Sequence, residues 1–150
     1  MILDTLTQFA SGVALNTGAA GKYLVGDQID LGNARDIGQG QPLFLVINMH
    51  TTATSGGSAT CAFTLASDAQ AAITVNGTET THLTTRAFPV ASMTAGANIA
   101  TIILPLEGVI YERFVGLIQT TATAAFTAGK IDAFLTPTPA RWKAYPDGNN

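Results

Sequence analysis

The chain has 150 residues, enough for one domain with a full hydrophobic core. Hydrophobic residues make up 47% of it and charged residues 11%, a balance that excludes an intrinsically disordered chain. The net charge of −3 argues against binding nucleic acid through charge. Because an average domain carries about 25% charged residues, we expect uncharged polar side chains or bound partners to cover much of the surface.

The sequence gives no sign of secretion or of a membrane span. The opening residues, Met1-Ile2-Leu3-Asp4, lack the basic region of a signal peptide. The uncharged apolar stretch from Ala87 to Leu106 is interrupted by two prolines, a glycine and an asparagine, so we expect no membrane contact. A single cysteine, Cys61, permits no internal disulfide, which fits folding in a reducing cytoplasm.

Short apolar runs and period-two alternation between Gly- and Pro-rich turns predict an all-β protein of about eight strands, a sandwich or a barrel. Asn76-Gly77 predicts a two-residue hairpin between residues 73–75 and 78–80. Thr127-Ala128-Gly129 is interpreted as a turn that leads into a strand. The remaining predicted strands are 22–31, 43–50, 58–66, 82–88, 98–104, 114–121 and 130–136.

Alternation also predicts which side chains face the core. Leu43, Leu45, Ile47 and Met49 share one face of their strand, and Cys61 shares a face with its apolar neighbours two residues away on either side. The segment 43–46 is apolar on both faces, whereas a sandwich strand normally shows one face to water. A second covering layer is therefore expected there, from loops, terminal segments or another subunit.

No set of residues assembles an active site, so we expect a protein that is not an enzyme and needs no cofactor. Cys61 is predicted to be buried, which argues against pairing it as a nucleophile with His50 or His82. The spacing of Asp27, Asp30, Asn33 and Asp36 fits loop caps better than a calcium site. Gly38-Gln39-Gly40 lacks the third glycine of a dinucleotide fingerprint and predicts a tight turn.

The two ends differ from the middle of the chain. We divide it into an N-terminal arm or edge segment (1–20), a β-sandwich domain (21–136) and an extended, proline-rich C-terminal arm (137–150). Aromatic and cationic residues of the kind enriched at interface hot spots cluster in that arm. The candidate interface residues are Met1, Ile2, Leu3, Phe9, Arg141, Trp142, Lys143 and Tyr145.

Two segments and the start of the chain carry a resemblance to a known family. The first segment runs Asp30-Leu31-Gly32-Asn33-Ala34-Arg35 and continues with Gly38-Gln39-Gly40-Gln41-Pro42-Leu43. The second begins at Tyr111-Glu112-Arg113-Phe114 and continues with residues 126–133. In order and spacing these segments, with the opening Met1–Asp4, resemble the capsid cement proteins of short-tailed bacteriophages. Residues 68–88 depart most from that pattern.

The resemblance implies a jelly-roll-like antiparallel β-sandwich that decorates the outside of a phage capsid. Its partner would be the major capsid protein. From the strands with two apolar faces and the 11% of charged residues we also expect it to bind further copies of itself, as a homodimer rather than a trimer, with no nucleic acid and no membrane. It would be assembled in the host cytoplasm and would reside in the virion, where it holds the head together against DNA pressure. Two alternatives stay open, a carbohydrate-binding jelly-roll module of a tail or fibre and a small cupin-like enzyme.

Overall fold

The protein is a sandwich of two antiparallel sheets, seen in a computed structural model that describes residues 4–38, 40–105 and 108–139. Short 3-10 helices span Thr5–Thr7 and Val90–Ser92. In this part of the chain, no helix has the length and apolarity needed to cross a membrane. The strands of the described residues are β1 (Gln8–Ala14), β2 (Gly21–Asp30), β3 (Phe44–Ser55), β4 (Thr60–Asp68), β5 (Thr80–Thr84), β6 (Phe88–Pro89), β7 (Asn98–Ile103), β8 (Phe114–Ala122) and β9 (Phe126–Thr136).

The strand order is that of a jelly roll. One sheet has the order β1-β9-β3-β7, and the other has the order β2-β8-β4-β5 with β6 also paired to β4. The chain passes from one sheet to the other at every connection except those that join β4, β5 and β6, and all pairings are antiparallel. The predicted fold class, an antiparallel β-sandwich, is confirmed.

The core lies between the two sheets, as the alternation of apolar and polar residues along the strands predicted. Leu45, Ile47 and Met49 of β3 face Cys61 and Phe63 of β4, and all are at most 2% exposed. Burying one such side chain contributes about 1.5–3 kcal/mol relative to leaving it in water. The predicted inward register of β3 and β4 is confirmed.

The outer faces of both sheets are also partly covered. Val46 of β3 and Phe134 of β9 are 0% and 2% exposed, although their neighbours along each strand point into the core. On the other sheet, Ile73 folds back from the β4–β5 connection and packs with Ile118 of β8. Within the segment 43–46, Val46 is thus buried on the outer face, whereas Phe44 on the same face is half-buried.

Several strand boundaries differ from the prediction. β1 was not predicted, and β9 begins at Phe126, so Thr127-Ala128-Gly129 lies inside a strand instead of in a turn. The predicted strand 82–88 is divided between β5 and β6. Phe63 N–H donates to Thr85 Oγ1, so a side chain replaces a backbone partner at the point where the pairing with β4 breaks.

The hairpin predicted at Asn76-Gly77 is wrong, because residues 73–75 do not form a strand. Gly77 does have a positive φ of 96°. However, the Asn76 side chain accepts hydrogen bonds from Thr78, and Ile73 N–H donates to Gln28 Oε1 of β2. The segment therefore forms a loop laid against the outer face of the five-stranded sheet.

Within the N-terminal segment 1–20, residues 8–14 form the edge strand β1, which pairs with β9. Phe9 of this strand was a candidate interface residue, and this is corrected: its side chain is 0% exposed and belongs to the core. The bulge between Gln8 and Ala10 turns Phe9 inward, so in this structure it stabilises the sandwich and is not presented to a partner.

Candidate interaction surface at one end of the sandwich

Exposed apolar side chains gather at the end of the sandwich where β2, β7 and β9 finish and β3 and β8 begin. We call this region the apolar end and define it by Leu6, Ile103, Val109 and Ile110, which are 77%, 48%, 67% and 53% exposed. Among the described residues, one other large apolar side chain is exposed, Val75 at 36%. Exposed apolar residues that occur together mark interaction sites more often than scattered ones do.

The two segments that carry the cement-protein resemblance meet at this end. Arg113 Nε and Nη2 each donate to one carboxylate oxygen of Asp30, both at 2.9 Å. The backbone adds two bonds, from Leu31 N–H to Arg113 O at 2.8 Å and from Arg35 N–H to Tyr111 O at 3.0 Å. These bonds fix the loop after β2 to the loop before β8, so the motif residues build the frame of the apolar end.

The charge of Asp30 is compensated within that frame. Hydrogen bonds from Arg113 and from Gly32 N–H lower the pKa of Asp30 to about 2. Asp30 therefore stays ionised at neutral pH and is paired in a bidentate geometry, the strongest common form of ion pair. Asp30 was one of the four residues considered as calcium ligands, and in the structure its carboxylate joins two loops.

A cavity of about 320 Å³ opens beside the ion pair. The walls of the cavity come from both sheets and from the 3-10 helix Thr5–Thr7, and they are largely aliphatic, with the cationic Arg35 among them. Its size is at the lower end of the range for small-ligand pockets and suits an apolar group. The lining residues are Leu6, Thr7, Ile29, Asp30, Leu31, Arg35, Ile37, Leu43 and Leu135.

Tyr111 lies in the core at this end and contacts a cluster that contains a buried serine and a histidine. The sequence did not predict that these residues come together. The Tyr111 ring stacks on His82 with centroids 3.8 Å apart, and burial raises the pKa of Tyr111 to about 12. Ser67 Oγ lies 2.7 Å from His82 Nε2 and accepts a bond from Glu112 N–H at 3.0 Å. Ser67 is 0% exposed. These contacts therefore hold the loop that contains Val109 and Ile110 against β4 and β5.

Protonation of His82 is expected to loosen this cluster. Desolvation lowers the pKa of His82 below its ordinary value of 6.5, so the unfolded chain takes up a proton more readily than the folded one. The stability from neutral His82 is therefore present above pH 6.5 and is lost as the pH falls below it. We expect the melting temperature to fall as the pH is lowered below about 6.5, and to fall less in His82→Phe, which keeps a ring on Tyr111. Equal falls in both proteins would contradict this role.

The candidates for nucleophilic and metal chemistry separate in the structure. Cys61 is buried, as predicted, and desolvation raises its pKa to about 12, so its reactive thiolate is suppressed at neutral pH. His50 is exposed at the outer side of β3, with Thr51 Oγ1 3.1 Å from its Nδ1. Within residues 4–38, 40–105 and 108–139, no three His, Cys, Asp or Glu side chains gather as a set that could hold a metal.

The other predicted site residues belong to the two ends of the chain. Met1, Ile2, Leu3, Arg141, Trp142, Lys143 and Tyr145 lie outside the described residues. Because β1 begins and β9 finishes at the apolar end, the residues before Asp4 and after Pro139 join the described chain there. The exposed apolar residues of the loops, found in the structure, had no distinguishing signal in the sequence.

Comparisons with known proteins identify the family. A comparison with curated proteins gives no match. The family model Bbp16 matches residues 9–135, which spans β1 to the end of β9 and includes both motif segments. The chain therefore belongs to the Bbp16 family, a phage-associated family.

Proposed function

We propose that this protein is a capsid cement protein that binds the outer surface of a phage head and ties neighbouring major capsid subunits together. The observation that carries the proposal is the apolar end, where four exposed aliphatic side chains and a cavity are framed by the two motif segments. The phage-associated family and the resemblance of those segments to cement proteins support the same role.

The physical properties of the sandwich suit attachment to a large assembly. A specific interface buries about 1,200–2,000 Å² in total, and the apolar end can supply its centre. The terminal segments join the chain beside it and can extend the contact to a second capsid subunit. Contact at two sites raises the effective affinity beyond that of either alone. Such a bridge adds interface that must break before subunits separate under DNA pressure.

We also propose that the protein forms a homo-oligomer, a dimer rather than a trimer, by pairing of sandwiches or exchange of terminal segments. With 11% charged residues, the surface has little charge repulsion to oppose association. Sedimentation of the purified protein at micromolar concentration is expected to show a species twice the monomer mass. A monomer at all concentrations would contradict self-association away from the capsid.

The apolar end is tested by placing charge on it. Val109→Asp with Ile110→Asp is expected to weaken binding to capsid shells assembled without this protein by about 30-fold or more, because a charge buried in an interface is costly. Both side chains are more than half exposed, so the free protein should keep its melting temperature. Co-sedimentation with shells over a range of protein concentrations measures the change.

Val75→Asp is the matched control for that experiment. Val75 is an exposed aliphatic residue in the β4–β5 loop, between Ile73, which packs with Ile118 on the outer face of the five-stranded sheet, and Glu79, which pairs with Lys22 of β2. It should bind shells as the wild type does. Equal binding by the double variant and the wild type would show that the apolar end is not the attachment surface.

A further inference from the structure

The outer edge of β7 is an open backbone edge in the described part of the chain, where β7 pairs with β3 alone. Leu104 N–H donates to Leu43 O at 2.8 Å. Hydrogen-bonded and non-hydrogen-bonded pairs alternate in an antiparallel ladder. The pair Leu45–Ile102 is therefore hydrogen-bonded, whereas Thr101 and Ile103 direct their backbone N–H and C=O groups away from β3.

The other edges of the two sheets carry features that discourage pairing with another chain. β1 is irregular at two points and packs closely on β2, whose own edge carries Lys22, Asp27 and Asp30. β5 is five residues long and lies next to the Lys22–Glu79 ion pair. Charges, irregularities and short length are the usual protections of edge strands.

β7 has little of this protection. It lies within the uncharged stretch from Ala87 to Leu106, and its one irregularity is near its start, between Asn98 and Ala100. Thr101 is exposed and Ile103 is 48% exposed. An uncharged edge of β-branched residues is a template on which an extended segment can add as a strand.

We infer that an extended, uncharged segment of the major capsid protein adds to β7 as an outer strand of the four-stranded sheet. This inference rests on the proposed function and specifies how the partner is held. Ile103 is both the last residue of β7 and one of the four side chains that define the apolar end. A capsid segment that binds the apolar end can therefore continue along the open edge of β7. Backbone pairing would supply affinity there, and alternate side chains would supply specificity.

Amide hydrogen exchange on the wild-type protein reads this pairing directly. The amides of Thr101 and Ile103 should exchange rapidly in the free protein and slow by about tenfold or more when it is bound to capsid shells assembled without it. The amides of Ile102 and Leu104, already turned to β3, should be protected in both states and serve as internal controls. Unchanged exchange at Thr101 and Ile103 in the bound protein would overturn the inference.

A pair of variants tests the same edge by binding. Thr101→Pro removes an outward N–H without removing a bond to β3, a position where proline is tolerated on an edge strand. Thr101→Val keeps that N–H and the branched shape. Shell binding is expected to fall about tenfold or more in Thr101→Pro and to stay at the wild-type level in Thr101→Val. Equal binding by both would overturn the inference.

The outcomes separate this inference from the proposed function. Failure of the wild-type protein to bind shells would overturn both. Binding by the wild type with no slowing at Thr101 and Ile103 would overturn the strand addition alone. Concentration-dependent protection of these two amides in the free protein would show that a second copy, and not the capsid protein, occupies β7, and would also overturn the inference.

Discussion

Gly26→Ala is expected to reduce the free energy of unfolding by about 4 kcal/mol or more, among the largest losses for a single substitution. Gly26 has a φ of +74°, and a Cβ at this position would lie 2.0 Å from the backbone oxygen of Phe9. The obstacle is backbone in β1, which cannot move aside as a flexible side chain could. Because domains are stable by only about 5–15 kcal/mol, much of the stability would be lost. Urea denaturation followed by fluorescence measures the change.

Gly96→Ala is the matched control for backbone conformation. Gly96 has a φ of +78°, close to that of Gly26, but no atom lies within 4 Å of an added Cβ. Its loss should be the cost of a left-handed conformation for alanine, about 1–2 kcal/mol. The difference between the two variants isolates the close approach of β1 and β2. Equal losses would show that the two strands do not approach as described.

Removal of the C-terminal segment is expected to abolish most capsid binding while leaving the sandwich folded. Deletion of residues 140–150 keeps β9 and the contacts between Thr136 and Thr138. Within the segment, Trp142→Ala alone should cost about 2 kcal/mol or more of binding free energy, as hot-spot aromatic residues do. Co-sedimentation with shells measures binding, and thermal unfolding of the free protein measures the fold.

Lys143→Ala is the matched control in the same segment, because a charge at the rim of an interface contributes little affinity. It should bind shells almost as the wild type does. If Trp142 instead packs on its own sandwich, the deletion would lower the melting temperature of the free protein and leave binding normal. That combination would contradict the role of this segment as an attachment arm.

Much of the sandwich could be predicted because its central strands alternate clearly. Leu45, Ile47 and Met49 in β3 and Cys61 and Phe63 in β4 face the core as their spacing indicated. β1 was missed for a physical reason: its small residues and Gly12, with a φ of +60°, give no period of two, and its register shifts at Ala10 and Val13. What fixes β1 is pairing with β9, more than a hundred residues away in the sequence.

The candidate site depended on information that a sequence does not contain. The candidate interface residues were chosen in the two terminal segments for their composition. Phe9, one of these residues, belongs to the core because a bulge turns its side chain inward. Val109 and Ile110 look like ordinary strand residues in the sequence. Their loop is held at the end of the sandwich by the bond from Arg35 to Tyr111 and by the contacts of Tyr111 and Glu112 with β5 and β4. Surface exposure arises from such long-range contacts and not from local pattern.

The central claim, that this protein cements a phage head, is tested most directly by heating DNA-filled heads that lack it. Heads are prepared without the protein, incubated with the wild type or with the Val109→Asp/Ile110→Asp variant, and heated while released DNA is measured by dye fluorescence. We expect the wild-type protein to raise the temperature of DNA release and the variant to leave it near that of untreated heads. Release at the same temperature with and without bound wild-type protein would contradict the claim.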